Sequence, residues 1–206
     1  GTLTGSSYAV KSGAIGAILG GSSVGLTKST GGTVTLSGEN TYTGTTTISA
    51  GTLALGADNV LSDETEVSVT GIFDLADNSD TINVLSGAGS VLLGSGTLSV
   101  GGNNGSGSFS GVIAESGGLT KLGSGTVTLS GENTYTGTTT ISNGTLTYGG
   151  SNILSTGAVT INGGTLNIDS YTDTVGAVTL ESGSITGTGT LTGSSYAVKS
   201  GAIGAI

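Results

Sequence analysis

Residues 1–18, GTLTGSSYAVKSGAIGAI, return without a single change as residues 189–206. Eighteen consecutive identities between two distant segments constrain the fold more than any other property of the chain. Units repeated in this way bury their apolar side chains chiefly against their neighbours. A second duplication lies inside the first. The segment LTKSTGGTVTLSGENTYTGTTTISAGTLALG at 26–56 matches LTKLGSGTVTLSGENTYTGTTTISNGTLTYG at 119–149 in 25 of 31 positions, at an offset of 93. The likeness decays but persists beyond it, as in Asn59-Val60-Leu61-Ser62 against Asn152-Ile153-Leu154-Ser155. The chain therefore reads as one full unit, 1–188, with 26–118 duplicated as 119–206, and with 189–206 opening the next identical unit. With no initiator Met and no signal segment, it is expected to be a window of a longer tandem array.

A finer beat runs underneath. The triplet Gly-Thr-(Leu/Val) recurs with its second residue at Thr2, Thr33, Thr52, Thr97, Thr126, Thr145, Thr165 and Thr190, and Ile72 fills the remaining slot. The shortest interval, Thr33 to Thr52, and the longest, Thr2 to Thr33, alike leave no room for an apolar stripe at helical spacing. Within each stretch apolar residues alternate with Thr or Ser, which is the period of a β-strand with one buried face. A chain that returns to the same short strand at this spacing can stack its strands in parallel. The expected fold is all-β, a right-handed parallel β-helix (β-solenoid) of about eight coils in each unit of the length 1–188. In it Val34, Leu36, Leu53, Leu55, Phe73, Leu75, Leu98, Val127, Leu129, Leu146, Leu166 and Ile168 point inward, and the longer intervals carry outer loops or bulges. An antiparallel sandwich, with hairpins at Asn143-Gly144 and Asn162-Gly163, is the competing architecture.

Composition removes whole classes of chemistry. Gly 42, Thr 36 and Ser 30 fill just over half the chain, while Pro, Cys, Met, Trp, His, Arg and Gln are missing. Without Cys or His there is no disulfide framework, zinc site, thiol or imidazole catalysis. Four Lys against thirteen carboxylates, a net charge of −9, offer nothing to nucleic acid. Although Gly/Ser-rich chains are often disordered, the strict alternation of β-branched residues argues for order here.

The string LTKxGxGTxTLSGxNTYTGxTTIxxGTLxLG, at 26–56 and 119–149, resembles the autotransporter-associated β-strand repeat, and Phe109-Ser110-Gly111-Val112-Ile113 is similar to that family's usual lead-in. The resemblance implies the passenger region of a large autotransporter or adhesin-type bacterial surface protein. By the same resemblance the fold is a right-handed β-helix exported across the outer membrane of a diderm bacterium. The anchor domain would lie outside this segment.

No constellation of residues asks for catalysis, and the expectation is that the chain is not an enzyme, with no catalytic, cofactor or metal residues. Asp58, Asp63, Glu64, Glu66, Asp74, Asp77 and Asp80 crowd seven of the thirteen carboxylates into the stretch 58–80. They read either as Ca²⁺ ligands or as a solvated edge, and 77–80 matches no EF-hand loop. A polysaccharide-cleaving site would need a carboxylate pair meeting across coils, such as Asp74 and Asp77. An ice-binding face would need Thr-x-Thr pairs such as Thr33/Thr35 and Thr126/Thr128 in nearly every coil. Tyr42 and Tyr135, Asn40 and Asn133, and Lys28 and Lys121 hold matching places, and the tyrosines are expected to stack at corners or cap coils. The reading that follows is structural: a fibre, sheath or adhesin stalk whose partners are neighbouring copies of itself. The alternative is a module that binds a surface glycan or host protein through loops near 5–31 and 100–125.

Overall fold

The computed structural model describes residues 1–204. Among them every regular element is a β-strand, most of three or four residues, and every strand pairing is parallel. Parallel stacking excludes the sandwich and makes the molecule a β-solenoid. The coil is shortest where Thr2 pairs with Ile18 and reaches its full length where Gly87 pairs with Phe109. A full coil lays down three short strands, so three faces run along the axis, with a break in the first and in the third where no regular strand forms.

The first face begins with Thr2–Thr4 and Ile18–Gly20 and resumes with Asp80–Ile82, Thr97–Val100, Gly118–Lys121 and Thr139–Ile141. The second runs through Tyr8–Val10, Leu26–Lys28, Thr46–Ile48, Glu66–Val69, Val84–Gly87, Gly107–Phe109, Thr126–Leu129 and Thr145–Tyr148. The third stacks Gly13–Ile15, Thr33–Leu36, Thr52–Leu55, Ile72–Asp74, Ser90–Leu92 and Val112–Ala114. Towards the C-terminus the corners straighten into longer strands, of which Val159–Asn167 and Thr190–Val198 span two faces and Thr172–Thr186 spans all three.

The described residues make about eleven turns, more than a count of about eight per unit allows. The reason is that the triplet beat marks only some of the strands. The short intervals are whole coils, as from Thr33 to Thr52 on the third face. The longest interval, from Thr2 to Thr33, moves from the first face to the third and holds Tyr8–Val10, Gly13–Ile15, Ile18–Gly20 and Leu26–Lys28 between. Longer intervals thus hold extra strands where outer loops were expected. The stretch 100–125, expected to carry a long loop, contains Gly107–Phe109, Val112–Ala114 and Gly118–Lys121.

Alternation sorted the side chains as the sequence predicts. All twelve residues assigned inward are buried, and they belong to one apolar core that runs through the coils. The aromatics Tyr42, Phe73, Phe109, Tyr135 and Tyr148 are the largest apolar-bodied contributors.

Candidate functional site

Each repeat buries the same set of polar groups. In the first, Asn40 lies where the first face has no strand, between Ile18–Gly20 and Asp80–Ile82. Its side chain acts as a peptide unit. Oδ1 accepts from the Leu19 amide of the coil before (2.8 Å) and Nδ2 donates to the Val60 carbonyl of the coil after (2.9 Å). Asp80 continues the stack, its Oδ2 accepting from the Val60 and Leu61 amides (3.1 and 2.9 Å) and its Oδ1 from Thr81 (2.8 Å). Where no regular strand forms, two side chains thus add to the few backbone bonds between coils, such as that from the Asn40 amide to the Val60 carbonyl (2.9 Å). Removing these side chains would strand the buried amides they serve, each costing about 1–3 kcal/mol.

The second repeat rebuilds the stack residue for residue, but on the third face. Asn133 accepts from Ile113 (2.8 Å) and donates to Ile153 (2.7 Å), and Asp173 accepts from Leu154 (2.8 Å) and Thr174 (2.8 Å). Burial pushes the Asp80 carboxyl up to about 7, with Asp63 adding to the rise while the three amides hold it back. Asp173 is raised for the same first reason, burial.

Beside each stack a lysine is fully buried among carbonyl oxygens. Lys28 Nζ donates to Thr30 O and to Ala50 O (3.1 Å), and Lys121 Nζ donates to Leu122 O and Gly123 O (2.9 Å). Desolvation lowers the Lys121 ammonium from its ordinary range. The corner that closes this cage must be glycine. Gly51 and Gly144 hold φ of 66° and 61°, where an L side chain is strained. A Cβ there would also stand 2.7 or 2.8 Å from the lysine nitrogen. Tyr42 and Tyr135, both fully buried, complete the set by bonding Thr46 (2.7 Å) and Thr139. Burial raises both phenols well above their usual range.

The seven carboxylates of the acidic run do not converge. Asp74 accepts from the Ala76 amide of its own turn (2.8 Å), while Asp58 and Asp77 reach the next coil and accept from the Ser79 (2.7 Å) and Ser95 (2.8 Å) amides. Asp80 alone turns inward. Among the described residues no three His, Cys, Asp or Glu side chains gather in a way that could hold a metal ion. The two carboxylates suggested for carboxylate chemistry, Asp74 and Asp77, are committed to different amides, one in their own turn and one in the next coil. Of the Thr-x-Thr pairs, Thr126/Thr128 stacks under Thr145/Thr147 and then under Thr165/Asn167 on the second face. On the third face Thr33/Thr35 gives way to Thr52/Ala54 and then to Ile72/Asp74.

The surface over each polar stack is dished. A depression of about 390 Å³ lies over the second stack, between Glu132, Thr134, Asn152 and Thr174. Another of about 610 Å³ lies over the first, between Glu39, Thr41, Asp63 and Glu64. Sequence reading paired Asn40 with Asn133 and Lys28 with Lys121 without placing them inside. The strand phase held that information, because in Leu26-Thr27-Lys28 the lysine shares the inward parity of the leucine, as Asp80 shares that of Ile82.

Comparison with known proteins meets this geometry at the repeats. Residues 26–55 and 119–147 match the passenger-associated-transport-repeat. An adhesin, the BmaC autotransporter of Brucella suis biovar 1 (strain 1330), is 38% identical over 139 residues, which is 61% of this chain. The chain spans 4% of the length of that relative. No solved structure matches. The stack asparagine, the caged lysine and the buried tyrosine fall within the matched segments, Asp80 and Asp173 lie beyond them, and the chain carries the autotransporter passenger repeat twice, at residues 26–55 and 119–147.

Proposed function

We propose that the chain is a rod-building segment of a surface adhesin passenger, secreted to the cell exterior, with a mechanical role as stalk or fibre. The observation that carries this reading is continuity. Parallel pairing and one apolar core run through both repeats along a single axis, and where a face lacks a strand the Asn–Asp stack bridges the gap. A rod so closed resists local opening, and the missing Cys and Met remove ready targets of oxidation. Catalysis has no part in it. Coils stacked at about 4.8 Å would lengthen the rod by about 46 Å for each unit. Electron microscopy of chains with one, two and three units tests this: contour length should grow by that step per unit, and a compact particle of constant length would refute it.

A second reading, a module that binds a surface glycan or host protein, is favoured by the two depressions at equivalent places of the two repeats. Saturable binding to cells or a glycan array, lost on Glu39→Gln/Glu132→Gln substitution, would support it. Equal binding by the substituted chain would remove it.

A further inference from the structure

The two repeats share their sequence but not their face. Leu26–Lys28 stacks on the second face between Tyr8–Val10 and Thr46–Ile48. Its counterpart, Leu119 to Lys121, stacks on the first face between Thr97–Val100 and Thr139–Ile141. Thr33–Leu36 lies on the third face, and Thr126–Leu129 on the second. The Asn stack moves from the first face to the third. Every segment steps back by one face.

The identical ends repeat the step. Thr2–Thr4 stands on the first face, while Thr190 pairs with Thr172 on the third. Tyr8–Val10 stands on the second, while Tyr196 pairs with Val178 on the first. Gly13–Ile15 stands on the third, while Ile203 pairs with Ile185 on the second. The length of one unit therefore equals about nine and two-thirds coils, one face short of ten.

We propose that in a tandem array each unit is turned by one face, about a third of a revolution, from the unit before it, so that every surface the unit carries is presented in three directions in succession. The proposal rests on the reading of this chain as one unit of a rod. Along the axis the same surface recurs at about 46 Å, and on the same face only after about 140 Å. Such a rod suits compact partners, one to a unit, gathered around its whole circumference. A single extended flat partner would meet only every third copy, whereas a unit of whole coils would have lined all copies on one side.

The chain has no cysteine, so introduced pairs report cleanly. Thr47 lies on the second face, its sequence counterpart Thr140 on the first, and Thr147 on the second again. Thr140 is nearer to Thr47 along the axis than Thr147 is, by about a third of a coil. Spin labels at Thr47→Cys/Thr140→Cys should nonetheless stand farther apart than labels at Thr47→Cys/Thr147→Cys, because the first pair must cross between faces. An equivalent pair that is as close or closer overturns the turn of the repeats. In a chain of three units carrying Thr47→Cys in each, gold marks should advance by about 46 Å and a third of a revolution per unit. Marks in one straight row at that spacing would overturn the proposal and leave the rod standing, and a chain that does not lengthen by unit would overturn the rod itself.

Discussion

The first repeat and the second are the same sequence set on different neighbours, which makes the molecule its own control. Asn40 bonds Leu19 and Val60 on the first face at 2.8 and 2.9 Å. Asn133 bonds Ile113 and Ile153 on the third face at 2.8 and 2.7 Å, nearly the same geometry. The polar machinery depends on the local coil-to-coil register, and the face on which it falls makes no difference to it. One of the differences between the repeats falls in the core. Leu55 of the first is Tyr148 of the second, and the tyrosine hydroxyl is buried with no hydrogen-bond partner among the described residues.

The largest contrast expected is in lysine chemistry. Lys28 and Lys121 are fully buried, whereas Lys11 and Lys199 are exposed. An amine-reactive reagent should modify the exposed pair at least about a hundredfold faster, since a buried amine reacts only through opening of its coil. Peptide mass mapping over time reads this out. Unequal protection of Lys28 and Lys121 would break the equivalence of the two cages.

Next comes the amide stack. Asn40→Ala or Asn133→Ala strands one buried amide, while the backbone amide at the same position still serves the carbonyl, and each substitution should cost about 1–3 kcal/mol. Hydrogen exchange is the sensitive measure, because stability in a solenoid is local. The Leu19 amide should lose protection in the first variant and the Ile113 amide in the second, each leaving the other repeat unchanged. Loss of protection in both repeats from one substitution would show that the coils melt as a single unit.

How much of this could be read beforehand follows from what strand alternation reports. It fixes inward against outward, and for that reason Val34, Phe73, Leu98 and Ile168 are all buried as predicted. It does not report which strand stacks on which, because Leu26-Thr27-Lys28 and Thr46-Thr47-Ile48 lack the Gly-Thr-Leu triplet by which coils were counted. Burial of Lys28 and Asp80 was hidden by chemistry, since ionisable groups are almost never fully buried unless paired. Here carbonyls and amides of the turned backbone are the partners, and strand periodicity carries no mark of such a cage.

The acid response should be no larger and should separate the stacks. Asp80 titrates at about 7 when folded, against about 3.9 in an unfolded chain. A folded value above the unfolded one means that the folded chain binds the proton more tightly. Stability contributed by this group is complete below about 4 and is lost as pH rises through about 7, so acidification from pH 7 to about 5 stabilises the first repeat by about 2 kcal/mol. Asp80→Asn should flatten the profile of exchange at the Val60 and Leu61 amides against pH. Stability that instead fell between pH 7 and 5 would mean that the ionised carboxylate is the form the stack requires.

The smallest effect tests this core difference between the repeats. Tyr148 occupies the place of Leu55, and burial together with the neighbouring Asp173 raises its phenol well above the ordinary range. Its hydroxyl is desolvated without recompense, while that of Tyr135 is bonded to Thr139. Tyr148→Phe should therefore leave stability unchanged or raise it by about 1 kcal/mol, and Tyr135→Phe should lower it by about 1 kcal/mol. Both remove one oxygen from one phenol in the same repeat, so lost volume cancels and the hydrogen bond alone decides the sign. If Tyr148→Phe proved the more harmful change, its hydroxyl would have to be paired with Asp173 in solution. The second stack would then be a three-member network with no equivalent in the first.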